Sequence, residues 1–304
     1  MPPQPSATPP SGLPMAIAAY AIWGFIPLFF ALLRHVAPTE LVAWRVIFTL
    51  PLCLLIIALR RQAADLATAL RSPRVLGLLL TSALLIAANW IIYVAAVNGG
   101  HVFAASLGYY INPLINVVLG TAFLGERLSR LQWLAVAVAA AGVGLLLAGA
   151  TQTLGISLAL ACSFGLYGLV RKLAPVSSLP GLTIESAILL LPAAGCALWF
   201  AGQPGGSGFL RDAATPWLLA GSGVVTAVPL LLFAVAARRM DYSTLGFVQF
   251  LAPTIVFILG LVVYREPLRP VQLASFVVIW TAILLFSWDL LRRRGAAVAT
   301  TRSG

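Results

Sequence analysis

Long apolar runs separated by short polar connections make up most of this chain. A helix that crosses a bilayer needs about 20 predominantly apolar residues, within a range of about 17–25. Ten runs meet that requirement: Leu13–Leu33, Thr39–Leu59, Val75–Val97, Val102–Leu124, Leu131–Ala148, Leu154–Val170, Leu182–Ala201, Trp217–Ala237, Ser243–Tyr264 and Val271–Trp288. A transmembrane barrel would instead show segments of about 10 residues with alternating polarity. These runs are longer and uniformly rich in leucine, alanine and valine, so backbone polar groups are satisfied within each helix. The expected fold is an all-α membrane protein of ten transmembrane helices.

Composition agrees. Hydrophobic residues are 61% of the chain and charged residues 9%, against about 45–50% and about 25% in soluble domains. The net charge of +11 would suit a nucleic-acid partner, but the basic residues lie in short clusters between apolar runs, as the positive-inside rule requires. Fourteen fall on one side, in the connections around Arg60–Arg74, Arg127–Arg130, Arg171–Lys172 and Arg238–Arg239 and in the tail from Arg292. Four fall on the other: Arg34, Arg211, Arg265 and Arg269. Both termini are therefore expected in the cytoplasm, residues 1–12 as a disordered tail and 292–304 as a basic one. Cys53, Cys162 and Cys196 sit singly inside apolar runs, without the paired spacing of a disulfide framework or metal cluster. With His35 and His101 the only histidines, no metal and no cofactor is expected.

The chain also repeats. A shift of about 140 residues lays Pro113, Gly120, Glu126, Leu128 and Gln132 on Pro253, Gly260, Glu266, Leu268 and Gln272, and a similar shift lays Trp23-Gly24 on Phe164-Gly165. Two halves of five spans follow, residues 13–150 and 151–291. Because five is odd, the second half enters the membrane inverted. Inverted repeats are the architecture of alternating-access transporters, with the substrate site near the midplane between the halves.

Polar residues within the spans are the candidates for that site. Pro113 and Pro253 each free the carbonyl four residues back, at the repeat-related Tyr109 and Gln249. Tyr109, Asn112 and Asn116 share a helix face, where they either join helices or line a cavity. Asn89, Trp90 and Tyr93 in the third span, Trp23 in the first and Tyr167 in the sixth complete a set of aromatics and amides suited to a small amphipathic or zwitterionic solute. Arg45 and Glu185 are ionisable groups within spans, and such groups are functional hypotheses by default. They occupy corresponding helices and are candidates for gates or, for Glu185, for carrying a coupling proton; snorkelling to the interface is the alternative. Glu126 and Glu266 read as interfacial structure. Gly206-Ser207-Gly208 and Gly221-Ser222-Gly223 are fragments of serine-nucleophile turns without a base in reach, and no P-loop is present, so an enzyme is not expected.

Several longer motifs carry a resemblance. Ala95-Ala96-Val97-Asn98, His101, Ala105-Ser106-Leu107-Gly108-Tyr109, Ile111-Asn112-Pro113-Leu114, the stretch Gly125-Glu126-Arg127-Leu128-Ser129-Arg130-Leu131-Gln132-Trp133, Ser163 to Lys172 and Ser243-Thr244-Leu245-Gly246-Phe247 are similar to the RarD subfamily of EamA transporters. The resemblance runs from about Leu13 to Arg293. It implies a drug/metabolite transporter of the bacterial inner membrane, with ten helices in two EamA repeats. The expected partners are a small-molecule substrate, the lipid bilayer, and a coupling proton or counter-substrate; a homodimer is compatible with the reading. Trp44 and Phe48-Thr49 depart from the subfamily, which usually has histidine and Trp-Ser there. The competing class is a non-transporting scaffold or assembly partner, which would tolerate loss of the midplane amides.

Overall fold

The computed structural model describes residues 12–99, 101–147, 154–265 and 270–302, with side chains at all of these except 102–105 and 294–302. Residues 1–11 of the tail expected over 1–12, the connection between the halves and Glu266 lie outside the described residues.

Among the described residues the structure is helical throughout, without strands. The helices are α1 (Leu13–Ala31), α2 (Pro38–Leu59), α3 (Ala63–Leu70), α4 (Pro73–Asn98), α5 (Val102–Phe123), α6 (Arg130–Leu147), α7 (Leu154–Leu173), α8 (Ser178–Ala201), α9 (Thr215–Arg239), α10 (Tyr242–Gln249), α11 (Leu251–Val262) and α12 (Pro270–Arg302). Prolines in the first turns of α1, α2, α4 and α9 help start them, since proline there removes only a donor that lacks an intrahelical partner. Ser72 adds a side-chain cap to α4, accepting from Val75 N–H.

Nine segments of the described residues are long and apolar enough to cross a membrane, α10 and α11 counting together as Tyr242–Val262. The protein is a multi-pass membrane protein. The expected fourth span forms α5, of 22 residues, in addition to these nine. Two features depart from the sequence expectation. The basic connection after α2 contains the short helix α3, which packs on α4 and α8. The ninth span breaks at Phe250, directly after Gln249, the residue whose carbonyl Pro253 cannot bond. Pro113 lies inside an unbroken α5.

Packing follows a regular pattern. α1 packs on α9 and α11, and α7 on α4 and α5; α2 packs on α9, and α8 on α4. The pairs α2–α8, α5–α10 and α6–α12 complete the bundle. Under the 140-residue shift the first three relations interchange and the last three map onto themselves. α7 additionally packs on α9, a contact that α1 and α4 do not match in extent. It falls at the end of the bundle that carries the basic connections, where Lys172 Nζ donates to the carbonyls of Ala237 (2.9 Å) and Met240 (2.6 Å). The aromatic centre of the core, Tyr20, Tyr167, Phe233 and Tyr242, lies at the meeting of α1, α7, α9 and α10.

Candidate functional site

A narrow cavity lies between α2, α4, α7, α8 and α9, its wall including Thr49, Trp90, Tyr167, Glu185, Ser186 and Thr226. Apolar residues from the same helices, such as Val46, Ile86 and Leu189, fill the rest of the wall. Glu185 lines it, and Arg45 stands beside it, bonded to Thr226 and against the Trp90 ring of its wall. Arg45 stands seven positions past the start of α2 at Pro38, and Glu185 seven positions past the start of α8 at Ser178. The two helices run in opposite directions, so the charges sit at mirror-related depths.

The two charges are held differently. Glu185 accepts from Ser82 Oγ of α4 and forms an ion pair with Arg171 of α7 at 3.6 Å. Arg171 Nη2 also donates to the Ser178 carbonyl at 3.0 Å. Glu185 is 2% exposed, so it does not snorkel. Arg171 is a correction to the sequence reading, which placed it in a cytoplasmic connection: α7 continues to Leu173 and carries Arg171 into the protein, also 2% exposed. Gly181 leaves the space that the guanidinium fills, since a Cβ there would overlap Nη1. Arg45, by contrast, donates from Nε to Thr226 Oγ1 at 2.8 Å, and its guanidinium lies 5.2 Å from the Phe30 ring centre and 5.1 Å from that of Trp90. Thr226 in turn donates to the Ser222 carbonyl at 2.7 Å.

The amides act between helices. Asn89 Nδ2 donates to the Leu160 carbonyl and to Ser163 Oγ, joining α4 to α7. Asn112 Nδ2 donates to the Ala161 carbonyl at 3.2 Å, joining α5 to α7. Asn116 Nδ2 donates to Gln249 Oε1 at 2.9 Å, and Tyr20 O–H reaches the same oxygen at 3.3 Å. The amide oxygens of Asn112 and Asn116 are buried without a partner. Tyr109 parts from the other two: its ring pairs with Tyr93 at 6.3 Å and it is 45% exposed, while both asparagines are buried. Tyr167 and Trp90 line the cavity, and Trp23 packs against Tyr20, Phe164 and Phe233. The cavity itself lies among spans two, three, six, seven and eight. Spans four and nine are pinned together through Asn116 and Gln249.

Further polar contacts hold the two ends of the bundle, among them one at Glu40, which the sequence did not single out. Glu40, 2% exposed at the start of α2, accepts from Ser207 Oγ, from Gly208 N–H at 3.1 Å and from Trp44 Nε1 at 3.2 Å. This anchors the connection between α8 and α9 over the α2 end. Trp44, where the resemblance leads one to expect histidine, stacks on Phe209 of that connection at 4.4 Å. Thr49 donates to the Gly223 carbonyl. At the opposite end Glu126 accepts from the Tyr242 and Ser243 N–H groups, capping α10. Ser207 and Ser222, the residues of the serine-turn fragments, donate to Glu40 and to the Leu219 carbonyl.

Comparison with known proteins places this geometry in context. Residues 10–148 match the EamA-like transporter family. The chain is 42% identical to an uncharacterized transporter of Vibrio cholerae, over 94% of this chain and 95% of that one. It is 40% identical to the protein RarD of Escherichia coli, covering 92% and 95%. It is 31% identical to the chloramphenicol-sensitive protein RarD of Pseudomonas aeruginosa, again covering 92% and 95%. A solved crystal structure shares the fold with a TM-score of 0.72 at 19% identity, covering 93% of this chain and 98% of that one.

Proposed function

Because the chain belongs to the RarD subfamily of EamA transporters, we propose that it is a ten-helix secondary transporter of the bacterial inner membrane. It moves a small amphipathic metabolite, amino acid or drug by alternating access, in the direction of export. α5 is the tenth span: it packs on α7 and α10, and its Asn112 and Asn116 are buried in protein and need not meet lipid. The interchange of helix pairs under the 140-residue shift supports two inverted five-helix repeats, and the basic connections support cytoplasmic termini.

The observation that carries the reading is the cavity between helices of the two halves, where Thr49, Glu185, Ser186 and Thr226 place polar groups in a largely apolar wall. At its basic end it is shut by bonds between the two halves: Ser82 to Glu185, Asn116 to Gln249, Tyr20 to Gln249 and Glu126 to Tyr242 and Ser243. The opposite end is also held by bonds between the halves, from Ser207 and Gly208 to Glu40 and between His35 and Thr215, so the halves are joined at both ends. Inward opening parts the contacts at the basic end and frees the amides for the substrate, and either protonation of Glu185 or a counter-substrate drives the cycle.

The test is counterflow in liposomes containing the purified protein, with labelled chloramphenicol and labelled amino acids as probes. The expected result is saturable uptake accelerated by unlabelled solute inside, abolished in Asn112→Leu while the variant still purifies as a folded, monodisperse protein. Flux that never saturates would identify a channel. No flux with any probe, or full flux in Asn112→Leu, counts for a scaffold or against Asn112 respectively.

A further inference from the structure

The sequence presents Arg45 and Glu185 as a matched pair, but the structure neutralises only one of them. Glu185 has Arg171. Among the described residues no carboxylate pairs with Arg45, and its guanidinium makes its hydrogen bond through Nε alone. Thr226 donates its one proton to the Ser222 carbonyl and meets Arg45 as a neutral acceptor, so it supplies no counter-charge. The guanidinium carbon lies over the Phe30 and Trp90 rings, and its Nη1 and Nη2 make no hydrogen bond among the described residues. Such a planar fork matches a carboxylate with two parallel hydrogen bonds.

The surroundings suit a ligand. α2 and α5 share no extended packing, yet Arg45 lies within electrostatic reach of both Tyr93 and Tyr109. A cation in a membrane-spanning helix without a counter-charge faces a bundle interior or a water-filled cavity. The groups around Arg45 are aromatic: Phe30 and Trp90 lie against its guanidinium, and Tyr93 and Tyr109, paired ring to ring at 6.3 Å, lie within electrostatic reach.

Resting on the transporter reading, we propose that Arg45 is the substrate's carboxylate-binding residue, and that the substrate class is a monocarboxylate with an apolar or aromatic body. One guanidinium offers one carboxylate site, and the four rings offer stacking and apolar contact to the remainder. The bound carboxylate supplies Arg45 with a counter-charge, as Arg171 does for Glu185.

The experiment is a thermal-shift and binding series on the full chain in detergent. It uses acid and methyl-ester pairs of one skeleton, phenylacetate, indole-3-acetate and N-acetylphenylalanine, beside Arg45→Gln, Arg45→Lys and Thr226→Asp. The expected result is stabilisation by at least one acid and not by its ester, weakened tenfold or more in Arg45→Gln and to a lesser degree in Arg45→Lys. Thr226→Asp places a carboxylate against Arg45, so it should raise the melting temperature without ligand and block binding of the acid. Equal shifts from acid and ester, an acid shift that survives Arg45→Gln, or no shift from any acid together with a destabilised Thr226→Asp would overturn the proposal. Counterflow separates this from the broader reading: a protein that moves uncharged chloramphenicol but binds no acid is still a transporter, and Arg45 is not its carboxylate site.

Discussion

Arg171 Nη1 stands 3.6 Å from Glu185 Oε1, with the two side chains 2% and 3% exposed. Breaking a buried pair by removing one partner costs about 3–5 kcal/mol, because the other charge is left uncompensated, whereas replacing both by apolar residues is often nearly neutral. Arg171→Met and Glu185→Leu should therefore each destabilise the purified protein strongly, and the double variant should recover much of the loss. A double variant as unstable as the sum of the single ones would mean that the charges do not act as a pair. Transport should fail in all three if closure at this end depends on the pair.

This pair also shows where sequence reasoning ran out. The apolar runs gave the spans to within a few residues, because lipid demands continuous helices and the hydropathy signal is local. Arg171 reads as a loop residue because it follows the apolar run and adjoins Lys172. Its burial depends on a space above Gly181 in another helix, which no local pattern announces. Pro113 and Pro253 make the same point. The two share a motif, but only α10 and α11 part before the proline, so the difference comes from the partners of each helix. Asn89, Asn112, Asn116 and Gln249 were legible as polar groups that must avoid lipid. Which of them bond to one another was not, since their partners lie between 49 and 133 residues away.

Asp212 gives a pH prediction in the connection before α9. Its carboxylate accepts from the Thr215 N–H at 2.7 Å, the Thr215 hydroxyl at 2.9 Å and the Ala214 N–H at 2.9 Å. These bonds, with a smaller contribution from nearby His35, hold its pKa below the usual carboxylate value. A depressed folded-state pKa means that the cap is fully present above the unfolded value of about 3.9 and is lost as pH falls through the lower folded value. Hydrogen-exchange protection at the start of α9, corrected for intrinsic rates, should be constant from pH 8 to 5 and fall only below about 4. Asp212→Asn should lower it at every pH; protection unchanged in that variant would remove the cap.

Glu126 belongs to the first half and caps α10 of the second, accepting from Ser243 N–H at 2.8 Å and from Tyr242 N–H at 2.5 Å. Loss of a helix cap costs about 0.5–2 kcal/mol, and the negative charge adds favourable interaction with the helix N-terminus. Glu126→Ala should expose the α10 amides to exchange, and Glu126→Gln, which keeps one acceptor oxygen, should do so less. Both should also shift the protein toward the conformation open at this end, read as faster modification of a cysteine placed at Ser243. Unaltered labelling would confine Glu126 to local structure.

Gly181 and Gly223 separate effects on this closure from effects on packing. Small residues let membrane helices approach closely, but the atoms that a new methyl group would meet differ. At Gly223 a Cβ would lie 2.7 Å from the backbone carbon of Phe48 in α2 and 2.9 Å from its carbonyl oxygen. Backbone cannot swing aside, so Gly223→Ala must push α9 from α2, lengthening the Thr49 bond to the Gly223 carbonyl and the Arg45 bond to Thr226 that cross the same interface. Overpacking of this kind costs about 1–3 kcal/mol. At Gly181 the obstacle is the far end of the Arg171 side chain, which can rotate away at the expense of its contact with Glu185. Gly223→Ala should therefore lower the melting temperature by relaxing the fold. Gly181→Ala should behave as Arg171→Met does, and its defect should largely vanish in an Arg171→Met, Glu185→Leu background. Equal damage from Gly181→Ala with and without the ion pair would show that the glycine serves helix packing and not the guanidinium.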